Sequence, residues 1–304
     1  MTEPAISTEA LVKTYGRNRG LAGLDLRVDT GEVYGFLGPN GAGKSTTIRI
    51  LLDLIRPTGG RVTVLGVEPR AGGVALRRRI GYLAGDFVVD GRQTARELLG
   101  YLANLRGGVP RRRIEELADR LGLDLGRRIK GLSKGNRQKV GVVQAFMHEP
   151  ELLVLDEPTS GLDPFLQQEF VALVREARAA GQTVFMSSHV MGEVQQTADR
   201  VGIVREGRLI AVERVEQLRE RAVRQVEIHF EDPVDPGTFA ALPGVDEVTV
   251  DAGRTLRCRL AGRADALVKA AAGHTVVSLL AEEPDLEELF FTYYAGREAD
   301  RVAA

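Results

Sequence analysis

Nine residues near the start of the chain, "GPNGAGKST" (Gly38 to Thr46), set glycines, a lysine and two hydroxyls at the spacing G-x-x-x-x-G-K-[ST]. That spacing suits phosphate capture. Glycines let the backbone wrap closely around an anion, so the amides of Gly41 to Ser45 and the start of the following helix would face it. The Lys44 ammonium would reach the β and γ phosphates of a nucleotide, and the Ser45 hydroxyl would help hold Mg²⁺. The candidate nucleotide contacts are therefore Gly38, Asn40, Gly41, Gly43, Lys44, Ser45 and Thr46. Far downstream, "LLVLDEP" brings two adjacent carboxylates to the end of an apolar run. Successive strand side chains face opposite ways, so the two cannot share one role. Asp156 suits Mg²⁺, directly or through water, and Glu157 suits the general base that polarises an attacking water.

These groups need a scaffold that brings distant segments together. "EVYGFLG", "ELLVLDE" and "TVFMSSH" read as buried strands, while "SKGNRQKVGVVQAFMHE" and "PFLQQEFVALVREARAAG" carry apolar residues at helical spacing. The alternation predicts an α/β domain with a largely parallel core sheet. "VGIVREGRLIAV" reads as a hairpin around Glu206 and Gly207 that closes it. Beyond Arg224, "QVEIHF", "DEVTV", "TLRCRL" and "HTVVSLL" read as four strands, with short helices at "PGTFAAL" and "RADALVKAAA". The order β-α-β-β-α-β predicts a small α+β domain of ferredoxin-like form, its first helix capped by Asp235 before Pro236. The expected division is 1–222 and 223–304, with a last helix at "DLEELFFTYYAG".

Composition narrows the function classes. With 304 residues, 43% hydrophobic and 27% charged, the chain has the balance of an ordinary globular protein. A formal net charge of -1 gives no global attraction to nucleic acid. The arginine clusters "LRRRI" and "PRRRI" read as solvated helix faces, with contact to a membrane partner or lipid headgroups as the alternative. Cys258 has no cysteine to pair with and reads as a strand side chain in a reducing compartment. Neither a signal peptide nor an apolar run of the ~18 residues that a spanning helix needs is visible, so the chain is expected to be soluble by itself.

Four motifs in order, "GPNGAGKST", "LSKGN", "LLVLDEPTSGLD" and "SSH", resemble the nucleotide-binding subunits of ABC transporters over roughly residues 5 to 220. The resemblance implies the P-loop ABC ATPase fold with a helical signature subdomain, and ATP and Mg²⁺ as ligands. It also implies a head-to-tail homodimer in which Ser133 and Gly135 complete the partner's ATP site. An ordinary helix cap accounts for the same two residues without a partner. By the same resemblance Tyr15 stacks on adenine, Asp163 links the two sites, and His189 contacts the γ phosphate; the catalytic set is Glu157, His189 and Lys44.

Two departures stand out. Lys134 and Asn136 stand where the usual LSGGQ pattern has its first glycine and its glutamine, adding a positive charge and shortening an amide. The loop expected to supply a metal-contacting glutamine reads "AGDFVVD", with Gly85 at the aligned position. Either Asp86 takes over that metal contact or the loop only transmits motion. "LSKGNRQKV" and the tail "EEPDLEELFFTYY" resemble the branch serving exporters of drugs, antibiotics, lipids or polysaccharides. That branch implies separate permease chains and a location at the cytoplasmic face of the cell membrane. An importer ATPase shares every catalytic motif, and a non-transport ATPase of the superfamily is the remaining alternative; a plain P-loop kinase has no use for "LSKGN" or "SGLD".

Overall fold

The computed structural model describes residues 3–16, 18–89, 91–221 and 223–282. The chain divides into two compact units, residues 1–212 and 213–304.

In the first unit the elements run β1 (Ile6–Tyr15), β2 (Asn18–Val28), β3 (Val33–Leu37), α1 (Lys44–Leu51), β4 (Gly59–Val64), α2 (Pro69–Arg78) and β5 (Ile80–Leu83). There follow α3 (Ala95–Leu105), α4 (Arg111–Arg120), α5 (Lys134–Phe146), β6 (Leu152–Asp156), α6 (Pro164–Ala179), β7 (Thr183–Ser188), α7 (Met191–Gln195), β8 (Arg200–Arg205) and β9 (Arg208–Arg214). Six strands form one sheet in the order β5-β6-β7-β3-β8-β9, and β2-β1-β4 form a second, antiparallel sheet. From β5 to β8 every pairing in the large sheet is parallel. Every residue of β3, β6 and β7 is buried, which explains their unbroken apolar reading: both faces of a parallel sheet are covered. Inside this core the Phe185 ring stacks on Tyr34 (centroids 6.1 Å apart) and packs at a tilt on Phe36 (5.3 Å). The parallel α/β core and the β8–β9 hairpin read from the sequence are both present.

Helices α3, α4 and α5 pack together as a helical subdomain against β5. Helix α3 starts sharply because Thr94 and Glu97 form a reciprocal cap: Glu97 N donates to Thr94 Oγ1 (3.2 Å) and Thr94 N to the Glu97 carboxylate (2.8 Å). Of the "PRRRI" arginines, Arg111 and Arg112 are exposed and pair along α4 with Glu115 (3.0 Å) and Glu116 (2.7 Å), while Arg113 is half-buried and reaches Glu149 (3.6 Å). For Arg111 and Arg112 that arrangement fits a solvated face. Arg120 ties α4 to α6 through Glu169 and Glu176 at 2.6 and 2.7 Å.

The second unit contains α8 (Val215–Arg221), β10 (Val223–Phe230), α9 (Pro236–Ala240), β11 (Val245–Asp251), β12 (Thr255–Ala261), α10 (Asp265–Ala271) and β13 (Val276–Ala281). Its strands form one antiparallel sheet in the order β11-β12-β10-β13, the topology of a ferredoxin-like unit. Asp235 caps α9, accepting from Gly237 N at 3.3 Å. Ile228, Phe230, Phe239, Leu256 and Leu260 make its core, and Cys258 lies among them as a packing residue whose thiol pKa is raised by burial. The tail helix read at "DLEELFFTYYAG" lies outside the described residues.

One half-buried pair carries a pH signature. Arg106, at the end of α3, donates from Nη1 to His148 Nε2 (2.6 Å) and to the Ile80 carbonyl (3.0 Å). Burial first, and then the Arg106 charge, push the imidazole pKa down from 6.5 to about 4. Between those values the unfolded chain takes up a proton that the folded chain refuses, so stability falls as pH drops through that window. Thermal denaturation followed by circular dichroism should show a melting temperature that declines from pH 6.5 to pH 4. His148→Gln, which keeps an acceptor for Arg106, should decline less over the same window.

Candidate active site

The phosphate-loop residues lie between the buried strand β3 and α1. Gly43 precedes the helix with φ 109°, and a side chain there would meet the Gly20 carbonyl and Leu21 at 2.8 Å, so the position has no room for one. Helix α1 has no acidic residue in its first turn and no side-chain cap, which leaves its N-terminal amides and dipole for an anion. Asn40 and Gly41 are exposed at the tip of the loop, and Ser45 and Thr46 are half-buried on the first turn.

Lys44 is only 5% exposed. Its Nζ donates to the carbonyls of Gly38 (2.5 Å) and Pro39 (3.4 Å) and pairs with Glu157 Oε1 at 3.3 Å. The other oxygen of the same carboxylate, Oε2, lies 2.5 Å from His189 Nδ1. Lys44, Glu157 and His189, far apart in sequence, thus meet around one carboxylate. Glu157 reaches that place from a left-handed backbone, φ 48°, as the chain turns out of β6. Such a conformation in a non-glycine residue costs on the order of 1 to 3 kcal/mol and is kept only where its surroundings hold it. Asp156, the last residue of β6, points the other way, as alternation requires. It is buried, and its Oδ1 accepts from Ser187 Oγ at 2.6 Å.

The remaining candidates fall around this centre. Tyr15, at the end of β1, is 45% exposed. Its ring packs on Gly20, whose carbonyl in turn abuts Gly43, so the aromatic stands one residue away from the phosphate loop. Gly85 lies against Asp156: a side chain there would start 3.2 Å from the Asp156 carbonyl oxygen. Gly85 and Asp86 together line a cavity of about 210 Å³ with Lys134, Arg137 and Gln138. Ser133 is exposed and caps α5, accepting from Asn136 N at 3.2 Å; Asp163 caps α6, accepting from Leu166 N at 3.0 Å. Gly135 sits where any side chain would meet the Gly161 carbonyl at 2.8 Å, and Gln138 Nε2 donates to the Pro158 carbonyl at 3.2 Å. The "LSKGN" helix start is therefore seated on the "PTSGLD" loop. Sequence reasoning assigned nothing to Ser187. The only signal for it was its place two residues before His189, on a strand beside β6.

A phosphate loop facing an acid pair across a parallel sheet, with a capped helix start seated on the loop after the acids, defines a P-loop ATPase of the ABC class. The ABC transporter family profile matches residues 21–160. The daunorubicin resistance ATP-binding protein DrrA3 of Streptomyces coeruleorubidus is 37% identical over 303 residues, 95% of this chain and 96% of that protein. The bacitracin transport ATP-binding protein BcrA of Bacillus licheniformis is 37% identical over 230 residues, 75% of each chain. A solved ATP-binding subunit of an ABC transporter superimposes with a TM-score of 0.67 at 30% identity, covering 71% of this chain and 92% of that one. The chain belongs to the ATP-binding subunits of ABC transporters. No helix among the described residues is long and apolar enough to cross a membrane.

Gly135→Ala tests the seating of α5 on the loop. The added methyl must push the Gly161 carbonyl away, at a cost of about 1 to 3 kcal/mol for an overpacked contact. The variant should fold with a melting temperature lowered by several degrees and should lose most of its ATP hydrolysis, measured as phosphate release.

Proposed function

We propose that this chain is the ATP-hydrolysing subunit of an export system, working as a head-to-tail homodimer beneath separate permease chains at the cytoplasmic face of the membrane. The observation that carries the dimer is the division of the site. Lys44, Glu157 and His189 converge within one chain, whereas Ser133 has its contact with Asn136 and turns an exposed hydroxyl outward at the start of a 13-residue helix. That helix has no acidic residue in its first turn and begins with Lys134. It offers a hydroxyl, a positive dipole end and a cation, which together suit the γ phosphate of a neighbouring chain's ATP. Phe165, 72% exposed in the first turn of α6 and two residues beyond Asp163, adds apolar surface that would face that neighbour.

The donor set at the acid pair suits Mg²⁺. Among the described residues no group of three or more acidic, histidine or cysteine side chains could hold a metal alone. Asp156 and the Ser45 hydroxyl are hard oxygen donors of the kind that hold Mg²⁺ together with nucleotide phosphates and water. When bound there, the ion would neutralise charge on the phosphates. Lys44 would bind the β and γ phosphates, trading its Glu157 contact for phosphate oxygens. Glu157, so released, would accept the proton of the attacking water, with His189 holding its other oxygen and reporting on the γ phosphate. Tyr15 would stack on the adenine. Gly85 has no side chain to offer a metal, and the loop 84–89 is read as the part that transmits motion.

The same loop borders an apolar groove of about 450 Å³ lined by Leu54, Tyr82, Phe87, Val88, Leu98 and Leu102 among others. Leu54 and Val88 are 57% and 87% exposed. Exposed apolar surface next to a moving loop suits the permease. The names of the relatives support a drug or peptide antibiotic as cargo.

Glu157→Gln should bind ATP, hydrolyse it at least 100-fold more slowly, and run as a dimer in ATP by light scattering, while Lys44→Ala should stay monomeric because ATP binding is weakened. Normal turnover in Glu157→Gln would exclude it as the base. Gentle extraction of the tagged chain from its native membranes should bring down a multi-spanning protein in stoichiometric amount; recovery of soluble proteins alone would overturn the transport reading.

A further inference from the structure

Strand β7 is buried at every position, and Val184, Phe185 and Met186 give it the apolar content that such a place favours. Ser187 breaks the pattern with 0% exposure. A hydroxyl in that setting is costly unless paired, and its pairs are informative. The parallel register puts Ser187 directly beside Asp156. Ser187 has a single proton to donate and gives it to Asp156 Oδ1 at 2.6 Å, the short distance of a hydroxyl bound to a carboxylate. The same Oγ accepts from the Glu157 amide at 3.2 Å, and the Ser187 carbonyl accepts from that amide at 3.2 Å as well. One residue therefore orients the carboxylate of Asp156 and anchors the backbone of Glu157 at the point where it turns into its left-handed conformation. Ser188, facing the opposite way, spends its hydroxyl on Glu193 (2.8 Å) and touches neither acid.

We propose that Ser187 is a positioning residue for hydrolysis: its hydroxyl fixes the metal-facing geometry of Asp156 and the direction from which Glu157 meets the attacking water. The inference rests on the hydrolytic reading of Asp156 and Glu157. If the hydroxyl only filled a buried polar vacancy, losing it would lower stability and leave metal affinity alone. If it positions the acids, metal affinity falls in a protein that still folds.

The test uses the full chain with Ser187→Ala, and Ser187→Thr against Ser187→Val, a pair of nearly equal volume that differs in the hydroxyl. Mn²⁺ binding in the presence of a non-hydrolysable ATP analogue is read by electron paramagnetic resonance, alongside metal-free analogue affinity and kcat with MgATP. Ala and Val variants should bind Mn²⁺ about 10- to 100-fold more weakly, with a comparable loss of kcat and little change in metal-free analogue affinity, as is typical when a partner of a metal ligand is removed. Thr should stay close to wild type. Wild-type Mn²⁺ affinity and kcat in folded Ala or Val protein would overturn the positioning role, as would a folded Thr variant as impaired as Val. Should Ala fail to fold, the Thr and Val comparison decides. A wild-type chain that neither binds Mn²⁺ with the analogue nor hydrolyses ATP would bring down the hydrolytic reading itself.

Discussion

A lysine ammonium held at 5% exposure needs anionic company, and the whole first unit is arranged around that requirement. Removing one member of a buried ion pair leaves an uncompensated charge worth about 3 to 5 kcal/mol, so Lys44 is kept with two carbonyls of its own loop and one oxygen of Glu157. The partner it holds is the carboxylate suited to activating water. In the proposed mechanism a phosphate entering the loop would compete with Glu157 for the same cation, which would couple nucleotide arrival to release of that carboxylate. His189 shares the carboxylate through its other oxygen, just beyond the end of β7.

The parallel sheet is what makes so compact a cluster possible. Strands β3, β6 and β7 run side by side in one direction and end at one edge, so the phosphate loop, the acid pair and His189 emerge together although they span half the chain. Their burial on both faces removes freedom at the strand ends, and this fixes side chains that would otherwise spread into solvent. Ser187 belongs to the same logic. A polar group in the apolar core strand is tolerated because it satisfies the acids next door. The helical subdomain adds a different constraint, since Gly135 approaches the Gly161 carbonyl too closely for a side chain, which joins the α5 start to the loop after the acids.

The second unit is built independently, on its own antiparallel sheet and its own core around Phe230 and Phe239. It holds Cys258 as a packing residue. The order of its elements came directly from alternation and turn residues, because short strands bounded by Gly, Asp and Pro leave few other readings. The first compact unit ends at 212, just ahead of the short helix α8, where the sequence reading put the division at 222.

The sequence by itself determined the chemistry and the class. The G-x-x-x-x-G-K-[ST] spacing, the strand ending in two acids and the order of the four motifs each specify a local backbone and a reactive group, and local rules suffice for those. Alternation along β6 gave Asp156 and Glu157 different expected surroundings, and their hydrogen-bond partners do differ. What only the tertiary structure decided are the meetings between strands. That Glu157 bridges Lys44 and His189, that Gly20 joins Tyr15 to the phosphate loop, that Gly85 lies on Asp156, and that Ser187 serves both acids all depend on the lateral order and register of paired strands. Hydrogen bonds between strands set that register, and no spacing along a single chain records it.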